Sequence, residues 1–270
     1  MTTIETLEAA DWTDYALLDS GDGMRLERFG AYTLARPDPE VIWRKRWPEA
    51  EWAKADATFQ HGESGERWTR RRPIPEQWPM GYHGLTFSAR LTPFKHTGVF
   101  PEQAALWSLL QEQISRAART VNILTLFGYT GLAALSAARA GAKVTYVDAS
   151  KWAMEWAREN QQASGLAEKP IRWLLDDALK FVKREIRRGA HYELSDRPLF
   201  VIATAYAVEV SSLALGNVVS DALGERGGTV AMGELTLREQ SAGRRLSTAV
   251  YAYWHPASHR LNVAGAASTR

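Results

Sequence analysis

The sequence predicts an α/β protein, a mostly parallel sheet preceded by a smaller β-rich segment. Three observations predict it. From about Phe100 onward, short apolar runs alternate with helical repeats, the pattern of βαβ units. Gly128, Gly131 and Asp148 fall where such a sheet would receive a ligand. The residues before about Leu91 have another texture, with six of the 11 tryptophans and most of the prolines.

Composition narrows the class. The 270 residues are 45% hydrophobic and 24% charged, which excludes a disordered, collagen-like or disulfide-scaffold chain. Lys+Arg is 33 against Asp+Glu 31, a net charge of +2, so only a local basic face could serve a polyanion. Cysteine is 0, which removes disulfides, thiolate metal sites and thiol nucleophiles. The opening MTTIETLEAADWTDY lacks the basic and apolar regions of a signal peptide. No run reaches 18 uncharged apolar residues, so no membrane span and a cytoplasmic location are expected.

Each element then has its reason. Tyr15–Leu18, Met24–Phe29 and Tyr32–Ala35 read as strands, with turns at Ser20-Gly21-Asp22-Gly23 and Gly30. A Pro/Trp-rich stretch runs to about Gly84, and Leu85–Leu91 is a further strand. Pro101–Ala118 is helical, with proline near its start. Val121–Phe127, Lys143–Val147, Ile171–Leu175 and Leu199–Ala205 are strands. Leu132–Ala140, Lys151–Ser164, Ala178–Arg188 and Ser211–Leu223 are the helices between and after them. Gly165 and Gly224 mark two helix ends. Thr229–Arg238 and Arg245–Trp254 read as an antiparallel hairpin at the sheet edge. The expected division is a β-rich subdomain at 1–91 and an α/β domain at 92–270.

The most specific signal is Phe127-Gly128-Tyr129-Thr130-Gly131 followed by Asp148. The glycines flank a strand-to-helix turn beside free helix N–H groups, and a Cβ there would block a ligand from the backbone. Asp148, about 20 residues on and closing the second strand, can accept hydrogen bonds from both hydroxyls of a ribose. A dinucleotide loop would carry one more glycine and no bulky residue such as Tyr129. A ribose ligand without a pyrophosphate fits better, and S-adenosylmethionine is one. Asp176-Asp177 follows the third strand; it could meet the adenine amino group or cap the helix that begins at Ala178.

At these residues the chain resembles the class I S-adenosylmethionine-dependent methyltransferases of the 23S rRNA cytosine-C5/guanine type. The runs FGYTG, VDAS, ARENQQASGL and IRWLLDDALKFVKRE carry the likeness, as does Phe94–Gln103, similar to the family's motif ahead of the glycine loop. It covers roughly Asp11 to Pro256. The resemblance implies a Rossmann-like methyltransferase sheet with the terminal hairpin, behind a small β-rich domain. It implies that Phe127, Gly128, Tyr129, Thr130 and Gly131 form the cofactor loop, with Thr97, Gly98 and Gln103 at the methionine end. It gives Asp148 the ribose, Ala149 and Ser150 the adenine side, and Asp177 or Asp176 the adenine edge, next to Ala178. An RNA substrate, ribosomal in kind, is implied as well. No catalytic residue is assigned.

The chain departs from that family in two places. Methylation at pyrimidine C5 needs a thiolate to add at C6. Here Ile202–Ala207 offers only the Thr204 and Tyr206 hydroxyls, so a nitrogen or other cysteine-independent acceptor is expected. The family also has a fourth strand ending in Asp-Pro-Pro, a motif absent from this sequence, and His191–Pro198 leaves no room for that strand and its helix. Strand 121–127 would then lie beside strand 199–205, or the sheet would keep an open slot. An internal deletion, a gap in the sequence or a divergent replacement would each account for it.

Weaker signals remain. Lys180, Lys183, Arg184, Arg187 and Arg188 form one basic helical stripe, and Trp68-Thr69-Arg70-Arg71-Arg72 an aromatic-flanked basic cluster. Both suit nucleic acid, and both suit a solvated surface. The six histidines show no metal-ligand spacing, and no metal is expected. Two alternatives stand beside methyl transfer: a cofactor-binding protein impaired in catalysis, and an NAD-dependent oxidoreductase.

Overall fold

The computed structural model describes residues 5–9, 11–62, 65–117, 120–187, 199–203, 229–238 and 245–254. They fall into two compact units, one built on Glu8–Ala104 and the other on Ala105–Leu235 with Met1–Leu7 and Thr248–Ser268. In chain order the first strands and helix are β1 (Glu5–Glu8), β2 (Tyr15–Gly21), β3 (Met24–Phe29), β4 (Tyr32–Pro37), α1 (Glu49–Trp52), β5 (Ala57–Gly62), β6 (Gly65–Arg70), β7 (Trp78–Tyr82) and β8 (Leu85–Ala89). A 3₁₀ turn at Pro101–Gln103 leads into α2 (Ala104–Arg116). Then come β9 (Asn122–Leu126), α3 (Leu132–Arg139), β10 (Lys143–Asp148), α4 (Lys151–Ala163), β11 (Ile171–Leu175), α5 (Ala178–Arg187), β12 (Leu199–Ala203), β13 (Thr229–Arg238) and β14 (Arg245–Trp254).

The N-terminal unit carries a sheet in the order β2-β3-β4-β5-β6 and the separate hairpin β7-β8. Asp22 and Gly23, both at positive φ, close β2 onto β3, so Ser20 and Gly21 belong to the strand rather than to the predicted turn. Strands β5, β6 and β7 lie in the stretch read from sequence only as Pro/Trp-rich. Phe59 and Trp68 face each other across β5-β6 with rings 5.3 Å apart. Trp12 packs on Tyr15 and Tyr82 at 5.2 and 4.8 Å.

Two buried acids organise this unit. Glu27 accepts from Arg36 Nε and Nη2 at 2.7 and 2.8 Å and from the Tyr15 hydroxyl at 2.9 Å. The Arg36 guanidinium overcomes the opposing effect of burial and holds that carboxyl below its ordinary value. Asp19 is fully buried, and its Oδ2 accepts the backbone N–H of Trp47 at 2.9 Å, that of Arg46 at 3.1 Å and the Trp52 indole N–H at 2.9 Å. These bonds tie the 41–47 segment across β2. The approach is close enough that a Cβ at Gly21 would stand 2.0 Å from the Lys45 nitrogen.

The second unit holds the sheet β1-β13-β14-β12-β9-β10-β11. Strands β9, β10, β11 and β12 run parallel, with Val147 opposite Leu126, Asp148 opposite Leu175 and Val201 opposite Leu124. β9 pairs directly with β12, the first of the two arrangements expected where the family's fourth strand would lie. β14 pairs antiparallel with β12. The predicted helix Ser211–Leu223, and His191–Pro198, Thr204 and Tyr206, lie outside the described residues, as do His255 and His259.

Local chemistry fixes the ends of these elements. Ser150 caps α4 by accepting the Ala153 N–H. At the other end Gly165 takes φ +66, while Gly165 and Leu166 donate back to Gln162 and Gln161, a Schellman stop. Leu124, Leu126, Val147, Ala178 and Phe181 form a core beneath the carboxyl ends of the strands. Burying such side chains is what draws α5 onto the sheet, at about 1.5–3 kcal/mol each. Among the described residues no helix is long and apolar enough to cross a membrane.

Candidate cofactor site

The predicted loop sits where β9 gives way to α3. Three of its five residues take positive φ: Phe127 at 53°, Tyr129 at 47° and Gly131 at 83°. A left-handed conformation is rare for an aromatic residue and survives only where its surroundings impose it. The constraints are visible. Tyr129 N–H donates to Asp148 Oδ2 at 2.8 Å, and Tyr129 C=O accepts from the Tyr146 hydroxyl at 2.5 Å. Thr130 C=O accepts from Asn160 Nδ2 at 2.9 Å. Gly128 N–H bonds Val147 C=O, and Gly131 N–H bonds Gly128 C=O.

The structure shows a packing reason for the glycines as well. A Cβ on Gly128 would stand 2.2 Å from the Tyr146 ring, and one on Gly131 would stand 2.8 Å from Ala157 Cβ. The protein's own packing excludes a side chain at both positions, before any ligand is considered.

Asp148 is half-buried at the end of β10. Its Oδ1 accepts the Ser150 N–H at 2.8 Å and its Oδ2 the Tyr129 N–H at 2.8 Å. Each carboxylate oxygen has two acceptor sites, so the pair of ribose hydroxyls can still be met. The free acceptor sites of this carboxylate therefore fit a ribose-bearing cofactor. Ala149 leads from Asp148 to Ser150, the cap of α4.

In the acid pair the two carboxylates part ways. Asp177 Oδ1 accepts Lys180 N–H at 2.8 Å, capping α5 ahead of Ala178. Asp176 Oδ2 pairs with Arg184 at 2.6 Å, and its backbone N–H bonds Asp148 C=O. Thr97, Gly98 and Gln103 belong to the N-terminal unit. There Thr97 is fully buried with its hydroxyl unpartnered, Gly98 takes φ +85, and Gln103 ends the 3₁₀ turn. His96 beside them is pulled down to about 4, by burial and then by the Arg36 and Lys95 charges.

Sequence reading missed four residues. Tyr146 reads as one more buried strand residue and Asn160 as part of a polar helix face; neither pattern reveals a bond to a loop carbonyl. Leu175 and Trp152 are large apolar side chains left 53% and 46% exposed at the same end of the sheet as Asp148. The basic signals also resolve. Arg71 and Arg72 share Asp56, and Trp68 donates to Thr92 and Phe94 carbonyls, so this cluster is largely spent on its own unit. Lys180 and Lys183 are exposed on α5, while the Arg187 and Arg188 side chains lie outside the described residues. Among the described residues no cluster of His, Asp or Glu could hold a metal ion.

Strand, tight glycine turn, buried helix and an acid closing the next strand define a nucleoside-cofactor domain of the α/β class. The comparisons make it specific. No family model matches the chain. The crystal structure of the SAM-dependent methyltransferase from Agrobacterium tumefaciens is 36% identical, with a TM-score of 0.78, over 95% of this chain and 97% of that one. The chain therefore belongs to the SAM-dependent methyltransferases, and its cofactor is S-adenosylmethionine. A candidate SAM-dependent methyltransferase of Streptococcus mutans shares the fold at 14% identity and a TM-score of 0.60, over 87% of this chain and 72% of that one. The ribosomal RNA large subunit methyltransferase K/L of Shewanella frigidimarina is 32% identical over 119 residues, 44% of this chain. That match spans only 16% of the relative's length.

Proposed function

We propose that this methyltransferase acts on RNA, ribosomal RNA in particular, at a nitrogen or another acceptor that needs no cysteine. Asp148 carries the reading of the site: it is an incompletely used carboxylate at the end of β10, in register with exposed Leu175 and bonded to the glycine loop. Phe127–Gly131 meets the amino-acid end of the cofactor and Asp148 the ribose. Ala149 and Ser150, with Leu175 and Trp152, flank the adenine. Asp176 and Asp177, just before Ala178, border its edge. The assignment of Thr97, Gly98 and Gln103 rests on their motif and on the unpartnered Thr97 hydroxyl in their own unit.

Bound S-adenosylmethionine supplies an electrophilic methyl group on sulfur, and the acceptor needs in-line placement more than covalent help. With no cysteine in the sequence, a pyrimidine C5 acceptor would lack its nucleophile. The RNA reading is supported by the name of the Shewanella relative and by exposed Lys180 and Lys183. A β-rich domain at 1–91, a cofactor domain at 92–270 with β13 and β14 as its terminal hairpin, and cytoplasmic residence belong to the same proposal.

The test is calorimetric titration of S-adenosylmethionine into the wild type and Asp148→Ala, followed by tritiated methyl transfer to ribosomal RNA. Losing two hydrogen bonds to a charged acceptor should weaken binding about 100-fold. Equal affinities for the two proteins would refute the site, and absence of label in RNA would refute the substrate.

A further inference from the structure

We infer that Tyr146 and Asn160 are positioning residues for cofactor binding, acting through the Tyr129 and Thr130 carbonyls rather than by touching the ligand. The inference rests on the loop reading above and deepens it. Tyr129 is gripped at both of its backbone polar groups. Its N–H is held by Asp148 and its C=O by the Tyr146 hydroxyl, with φ fixed at +47° between them. The next carbonyl, of Thr130, is held by Asn160, which is 1% exposed. Tyr146 is fully buried, and its ring fills the space that Gly128 leaves open.

These bonds turn two successive loop carbonyls into the protein. A carboxylate or other electron-rich ligand group is repelled by carbonyl oxygens and attracted by N–H groups. Drawing these two carbonyls inward removes their repulsion and fixes the loop surface against which the carboxylate of the cofactor's amino-acid end rests. Tyr129 is also held on its preceding peptide group, whose N–H donates to Asp148, the ribose acceptor.

Tyr146→Phe keeps the ring under Gly128 and removes only the hydroxyl. With the full-length chain, its dissociation constant for S-adenosylmethionine should rise about five- to tenfold, the worth of one buried hydrogen bond. Affinity for adenosine, which lacks the amino-acid end, should stay within twofold. Asn160→Ala, a second variant on another element, should show the same split. Added to Asp148→Ala, Tyr146→Phe should cost less than twofold more, because Tyr129 has already lost one of its two holds. Equal weakening of S-adenosylmethionine and adenosine would mean general damage to the fold and overturn the inference. Unchanged S-adenosylmethionine affinity in both variants, with Asp148→Ala still impaired, would overturn it while leaving the site reading intact. An Asp148→Ala protein that binds like the wild type would instead remove the site reading, and this inference with it.

Discussion

Asp19 and Asp148 do similar work in the two units and end differently. Each carboxylate accepts backbone N–H groups from a neighbouring segment. Asp19 is fully buried, and its bonds to Arg46, Trp47 and Trp52 pin a crossing strap. Asp148 is half-buried and, among the described residues, accepts from Tyr129 and Ser150. An acid sealed from solvent and holding three N–H donors is a structural device. One with capacity left at the rim of a sheet can also receive a ligand. The difference lies in burial and valence, not in residue type.

Three experiments would break or sharpen that contrast. The largest effect is expected for Asp19→Ala, which strands two backbone N–H groups and an indole N–H. It should lower stability by about 3 kcal/mol in chemical denaturation, whereas Asp148→Ala should lower it by less than about 1 kcal/mol. Equal losses would erase the distinction.

Next is Gly128→Ala. The new methyl group meets the Tyr146 ring, so a loss of about 1–3 kcal/mol is expected, together with weaker S-adenosylmethionine binding. Unchanged melting and binding would show that the ring yields freely.

The smallest effect concerns His96, which stays neutral in the folded N-terminal unit down to about 4. The unfolded chain takes up that proton near pH 6.5, so stability falls as pH drops from 6.5 toward 4. His96→Gln should flatten that part of a melting-temperature profile, and an unaltered slope would assign the acid sensitivity elsewhere.

Sequence and structure agree best where a single periodicity rules. Ile171–Leu175 matches β11 end for end, and the first three strands of the parallel sheet fall within a residue or two of expectation. They agree least between Pro39 and Gly84, where short strands sit in a stretch rich in proline and tryptophan. In the site, Asp148 was legible because ribose recognition imposes a spacing along the chain. Tyr146 and Asn160 were not, since a side chain can reach a carbonyl from any neighbouring element. The glycine spacing that signals a ligand loop also serves packing: it lets Gly128 rest on the Tyr146 ring and Gly131 on Ala157.

That resting contact ties two positions into a single unit of inheritance. A side chain at 128 demands a smaller residue at 146, and the smaller residue gives up the hydroxyl that holds Tyr129. Descendants of this chain can exchange the pair together or keep both, but a lone change at 128 sacrifices either the fit or the grip.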